Sequence, residues 1–143
     1  MQHHLARRAF LAVGATMLAA LLIPRRTANA ALVRLSGPGA HPTPRAGITG
    51  AKVLTKEQLA TKPQLVGLFD SVRAIPEVID GIRCNCGCAH YDGFYSLLSC
   101  YEGQDAMAKD CAICQGQGRL AVRLHKAGKS LDEIRAAVDA KFG

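Results

Sequence analysis

Apolar residues form a nearly continuous run near the start of this chain, interrupted by Gly14 and Thr16, and fall into helical periods further on. The first stretch extends from Phe10 to Ile23, short of the ~20 residues a helix needs to span ~30 Å of hydrocarbon. From Ala31 to about Ala51 the chain reads ALVRLSGPGAHPTPRAGITGA, with prolines and glycines and no apolar period, which predicts a flexible linker over 31–51. His41 within it reads as a solvated side chain.

Order is expected from about residue 52. Thr55-x-x-Gln58 has the form of a capping box and Leu54 can staple against Leu59, so a short helix should begin there. Lys62-Pro63 ends it, because the residue before proline is pushed out of the helical region, and Pro63 can open the next helix. Leu65, Leu68, Phe69 and Val72 then share one face at three- and four-residue spacing. Pro76 starts a further turn, with Glu77 near the positive end of its dipole and Gly81 closing it. Later, Leu120, Leu124 and Ala127 share a face of a helix that Gly128 can terminate in the left-handed conformation. Ser130-x-x-Glu133 is a capping box for a last helix striped by Leu131, Ile134, Val138 and Phe142. The expected fold is mainly α: a small helical domain over 52–143, with a cysteine-rich metal-binding loop and a C-terminal helical hairpin. Domains so small often depend on a metal or on disulfides.

Charge changes the picture of the N-terminus. Arg7-Arg8 stands before Ala9-Phe10-Leu11, and Ala28-Asn29-Ala30 offers an Ala-x-Ala cleavage site. Residues 1–30 thus resemble a twin-arginine export signal, which implies the export machinery as a partner and a periplasmic or extracellular destination. If the signal stays uncleaved, the protein is membrane-anchored instead. The chain has 18 Lys and Arg against 11 Asp and Glu, and four of those arginines lie in the signal, so 14 remain and the mature net charge is +3. These basic residues alternate with acids, and no nucleic-acid footprint is visible.

The chemistry is concentrated in cysteine. All six thiols lie between Cys84 and Cys114: Cys84-x-Cys86-Gly87-Cys88, then Cys100, then Cys111-x-x-Cys114. A disulfide needs Cα atoms ~4.4–6.8 Å apart with facing Cβ vectors, and alternate residues of an extended chain point apart, so bonds within Cys-x-Cys are disfavoured. If the loop curls, with Gly87 at positive φ, these sulfurs can converge on an ion. Cys111-x-x-Cys114 has the spacing of a metal knuckle, although redox motifs share it. Met107 can serve as a soft ligand or as a packed hydrophobe, and Phe94, Tyr95 and Tyr101 can cover the cluster. The candidate ligands are Cys84, Cys86, Cys88, Cys100, Cys111 and Cys114, with His90 as a possible nitrogen donor and His125 as a surface residue.

Thiolates select Cu(I) or Zn(II), ahead of an iron–sulfur cluster, over hard cations. Neither a Ser-His-Asp arrangement nor paired carboxylates stand in the sequence, so binding, storage or delivery of metal is expected rather than catalysis. Delivery implies a metal-donor or metal-acceptor protein. Two alternatives stay open: disulfide exchange at Cys111-x-x-Cys114, and a domain stapled by structural disulfides.

From Ile75-Pro76-Glu77-Val78-Ile79 through Cys84-x-Cys86-Gly87-Cys88, Ser96-Leu97-Leu98-Ser99-Cys100 and Cys111-x-x-Cys114 to the tail His125-Lys126-x-Gly128-Lys129-Ser130, the chain resembles the PCYCGC-motif proteins. The resemblance covers about residues 75–143 and implies an exported bacterial protein that binds metal through its cysteines. Arg83 stands where the motif has proline. A weaker similarity, to thioredoxin-like and cytochrome-c-maturation proteins, rests on Cys111-x-x-Cys114 and the helical hairpin.

Overall fold

The computed structural model describes residues 39–87 and 93–143, all within one compact unit, Pro38–Gly143. The expected export signal (1–30), the first part of the expected linker (31–38), Cys88 and His90 lie outside the described residues. The fold is helical, with helices α1 (Val66–Arg73), α2 (Pro76–Asp80), α3 (Ala112–Lys126) and α4 (Leu131–Phe142). Short 3-10 turns occupy Pro63–Leu65, Leu98–Tyr101 and Met107–Lys109. Among the described residues extended pairing is limited to one isolated antiparallel bridge, Val53 with Glu102. None of the described helices is long and apolar enough to cross a membrane.

Local chemistry accounts for most boundaries. Pro63 opens the turn that leads into α1, and Leu65, Leu68, Phe69 and Val72 all face the core as their spacing predicts. Ile75 leaves the helical region at φ −132° ahead of Pro76, which starts α2. The stretch after Thr55 differs from the expected helix. Only half of the capping box forms, Thr55 N–H donating to Gln58 Oε1 at 2.8 Å. One bond reaches back four residues, Leu59 N to Thr55 O at 3.0 Å, and those that follow, Ala60 N to Glu57 O and Lys62 N to Leu59 O, reach back three. Pro63 arrives before a helical ladder can propagate past its costly first turn, so the segment stays a series of tight turns. Leu54 and Leu59 are buried there all the same.

α3 and α4 form the expected C-terminal hairpin. Gly128 takes φ +74°, Gly128 N donates to His125 O at 2.9 Å and Lys129 N to Leu124 O at 3.1 Å, which is a Schellman termination. Two residues later the full capping box forms, with Glu133 N donating to Ser130 Oγ at 3.3 Å and Ser130 N to Glu133 Oε2 at 2.8 Å. Ile134 and Val138 are fully buried, and Leu131 and Phe142 pack at the edges of the core. Ala127 is exposed rather than continuing the apolar face, because α3 has already reached its cap.

The larger departure is the segment 39–51, which is bound to the domain along its length rather than free. Arg45 grips the buried Asp80 carboxylate with its backbone N at 2.8 Å, Nη2 at 2.7 Å and Nε at 3.1 Å. Ser96 Oγ donates to the same carboxylate at 2.6 Å. Pro42 O accepts from Arg135 Nη2 at 2.8 Å, and Thr43 O from the Tyr95 hydroxyl at 2.5 Å. His41 is also not solvated. Its Nδ1 accepts from Arg83 N at 3.0 Å, so Nε2 carries the hydrogen and donates to Asp139 Oδ2 at 2.9 Å. Every one of these partners is distant in sequence, which is why Pro and Gly content alone reads as a linker. The compact unit therefore begins near Pro38, and 39–51 form a strap across the C-terminal end of α2 and one side of α4.

Candidate metal centre

Three pieces of backbone bring sulfurs together. The loop after α2 carries Cys84 and Cys86, and it is tied down where Leu97 N donates to Ile82 O at 2.8 Å. Gly81, just before it, lets the start of α4 pack close, since a Cβ there would stand 2.8 Å from Leu131 Cδ2. Gly87 turns the loop at φ +93°, the left-handed region that suits glycine. The 3-10 turn Leu98–Tyr101 supplies Cys100, and the first turn of α3 supplies Cys114.

The sulfurs of Cys84, Cys86, Cys100 and Cys114 all lie within 4.8 Å of one another. Cys84 and Cys86 are 3.1 Å apart, Cys84 and Cys114 3.6 Å, and Cys86 and Cys114 3.5 Å. A disulfide is ~2.05 Å, so these three contacts are not bonds. A tetrahedral ion with ~2.3 Å bonds to thiolate holds its sulfurs ~3.8 Å apart. The donor set therefore fits a single thiophilic ion. Cys84, Cys100 and Cys114 are buried and Cys86 is partly exposed, so a bound ion would be largely shielded, with one accessible edge.

Electrostatics favour a cation here. Thiols of Cys100 and Cys114 donate to Cys84, holding its pKa well below the usual thiol value. Cys114 is pushed up, because its hydrogen bonds to Cys100 and Cys84 retain its proton and burial opposes a second charge. The shared hydrogen bonds thus favour the thiolate at Cys84 and the thiol at Cys114. Burial first, and then negative charge at the neighbouring cysteines, keep the Tyr101 phenol neutral. As a neutral donor it binds Cys114 O at 2.7 Å and fixes the backbone of that ligand. Phe69 meets the Tyr101 ring edge-on with centroids 4.9 Å apart. Gly118 makes the arrangement possible, since a Cβ at 118 would come 2.1 Å from the Tyr101 hydroxyl.

The predicted residues divide as follows. Four of them form the group of sulfurs just described. Cys111 lies outside that group: it is partly exposed at the N-cap of α3, with its sulfur accepting from Cys114 N at 3.4 Å. Cys88 and His90 fall outside the described residues. Met107 packs against the core and its carbonyl accepts from Cys111 N at 3.0 Å. His125 is exposed. Among the aromatics, Tyr101 covers the centre as expected and Phe94 packs on the core, while Tyr95 is 46% exposed and belongs to the strap, its ring lying under Arg45.

Sequence reasoning passed over Gln117, which is fully buried and accepts from Asn85 N at 3.3 Å through its Oε1. Asn85 sits between two ligand cysteines. The available signal was position, since Gln117 follows Cys114 by about one helical turn and a polar residue on a buried face needs a partner. Comparison with protein-family models, with curated proteins and with solved structures found no match to this chain.

Proposed function

We propose that this chain is an exported protein that binds a soft metal ion, Cu(I) or Zn(II), and stores or delivers it. The observation that carries the reading is the convergence of four cysteine sulfurs within 4.8 Å, drawn from three separate segments and mostly buried. Soft thiolates prefer such ions over hard cations, and a full set of protein ligands leaves no position for substrate, which favours holding metal over catalysis. The twin-arginine-like start, Arg7-Arg8 with Ala28-Asn29-Ala30, supports export of an already folded, loaded domain to the periplasm or beyond. The PCYCGC-like motif agrees with this, and it is carried by the motif residues alone. Cys86 and Cys111 are the partly exposed residues among the described cysteines, and a donor or acceptor protein would approach there.

The test is metal analysis of the full chain purified without oxygen. One thiophilic ion per chain, released with recovery of reactive thiols, is the expected result. Absence of metal together with loss of reactive thiols would overturn the reading in favour of structural disulfides.

One observation favours disulfide exchange as the second reading. Cys111 is partly exposed at the N-terminus of a long helix and Cys114 is buried behind it, the usual disposition of an attacking and a resolving thiol. A chain carrying Cys114→Ser would then trap a partner as a mixed disulfide through Cys111.

A further inference from the structure

Buried polar atoms without a hydrogen-bond partner are few in folded proteins, and each calls for an explanation. Among the described residues they are Arg83 Nε, Asn85 Nδ2 and Oδ1, Gln117 Nε2 and Asp139 Oδ1. Their placement is not scattered. Arg83 and Asn85 flank Cys84 in sequence, Asp139 joins Arg83 through His41, and Gln117 is hydrogen-bonded to Asn85.

Gln117 is the most constrained of these residues, at 0% exposure. Its Oε1 accepts from Asn85 N at 3.3 Å, linking the helix that carries Cys114 to the loop that carries Cys84 and Cys86. That bond uses one end of the carboxamide. The other end, an NH2 with two donors, is buried and has no acceptor. A glutamine kept in this position therefore has a donor in the protein interior, one helical turn after Cys114 and against the residue that separates Cys84 from Cys86. Resting on the metal-centre reading above, we propose that Gln117 is a positioning residue of the centre, whose Nε2–H donates to a ligand sulfur when a metal is bound. Four thiolates around a divalent or monovalent ion retain excess negative charge, and N–H donors are the groups that stabilise it. A thiolate is a better acceptor for such a donor than a thiol. Glutamate at 117 would place a like charge against the thiolates, and leucine would fill the space without a donor.

Co(II) titration into the reduced full chain tests this, with the wild type, Gln117→Leu and Gln117→Glu compared. Loss of an N–H···S bond leaves the sulfur more electron-rich, so the sulfur-to-cobalt charge-transfer band should move to lower energy in both variants. Removal of a group supporting metal ligands typically weakens affinity ~10–100-fold, and transfer of Co(II) to a competing chelator should be about tenfold faster in Gln117→Leu and faster still in Gln117→Glu. Gln117→Glu keeps an oxygen to accept from Asn85 N, which separates the donor from the clamp, and the melting temperatures of the metal-free proteins record whether either variant fails to fold. Unshifted bands and unchanged transfer in both variants would overturn the inference while leaving the metal centre intact. If the wild type shows no tetrahedral thiolate–cobalt spectrum, the metal-centre reading falls and takes this inference with it.

Discussion

The C-terminal hairpin on one side, and the strap and the cysteine cluster on the other, are made by opposite means. In the hairpin, each turn of chain carries its own instructions: Gly128 stops α3, Ser130 and Glu133 start α4, and these residues are neighbours in sequence. In the strap and the centre, the groups that meet are far apart. Arg45 finds Asp80, Pro42 finds Arg135, Cys84 finds Cys114, and Tyr101 reaches the Cys114 carbonyl. The hairpin should therefore tolerate damage to the centre better than the centre tolerates damage to anything that holds its segments together.

The largest effect that separates the two regions is expected from the ligands themselves. Cys114→Ser should lower the affinity for Cu(I) or Zn(II) at least 100-fold, because an alcohol oxygen is a poor donor to a soft ion and the site loses a buried sulfur. Cys111→Ser should change equilibrium affinity little, since Cys111 stands outside the group of four. Competition against a coloured chelator measures both. Equal losses in the two variants would mean that Cys111 joins the ligand set on loading, and the division drawn between them would fail.

How much could be read from the chain beforehand follows the same division. The face of α1, the proline starts, the Gly128 stop and the Ser130 cap are local patterns and were legible. The cysteine spacing was enough to raise metal binding as a possibility, because that idea needs only residue type and proximity in sequence. It could not rank Cys100 above Cys111, since burial in the Leu98–Tyr101 turn depends on Phe69 and on the absence of a side chain at Gly118. The strap was misread because its Pro and Gly residues signal lost local structure, while the Arg45–Asp80 pair that orders it spans 35 positions. The short helix expected after Thr55 failed for another reason: a real N-terminal signal was present, but Pro63 left it no room to propagate.

A middle-sized effect should come from breaking the strap. Arg45→Ala leaves the fully buried Asp80 carboxylate with Ser96 as its remaining side-chain partner, and should cost about 3 kcal/mol, toward the low end for removing one partner of a buried pair because Arg45 itself is partly solvated. Burial opposes the charged form of Asp80, but the Arg45 and Ser96 hydrogen bonds outweigh it and its pKa is lowered. A lowered folded-state pKa contributes stability that is fully present above the unfolded value of ~3.9 and is lost as pH falls through the folded value. Wild-type stability measured with chelator present should thus decline below about pH 4, and the decline should be shallower in Arg45→Ala. A parallel pH dependence in the two proteins would show that the pair does not hold the strap.

The smallest effect should be confined to the hairpin. Ser130→Ala removes the oxygen that accepts from Glu133 N at 3.3 Å and leaves the first turn of α4 with one fewer satisfied donor. Substitutions of this kind cost ~1 kcal/mol. Glu133, held at a pKa of about 2 by Lys129 first and then by the Ser130 bonds, keeps its backbone contact to Ser130 N, so the cap is weakened rather than abolished. α4 still buries Ile134 and Val138 against the core, and this burial rather than the cap anchors the helix to the domain. The expected outcome is a slightly lower melting temperature with metal affinity unchanged. Hydrogen exchange should quicken at the amides of Asp132 and Glu133 and stay as it was at Cys100 and Cys114. If the exchange around the cysteines quickened as well, the hairpin and the centre would be one cooperative unit, and the contrast between local and long-range construction would describe how the two are specified in sequence but not how they come apart.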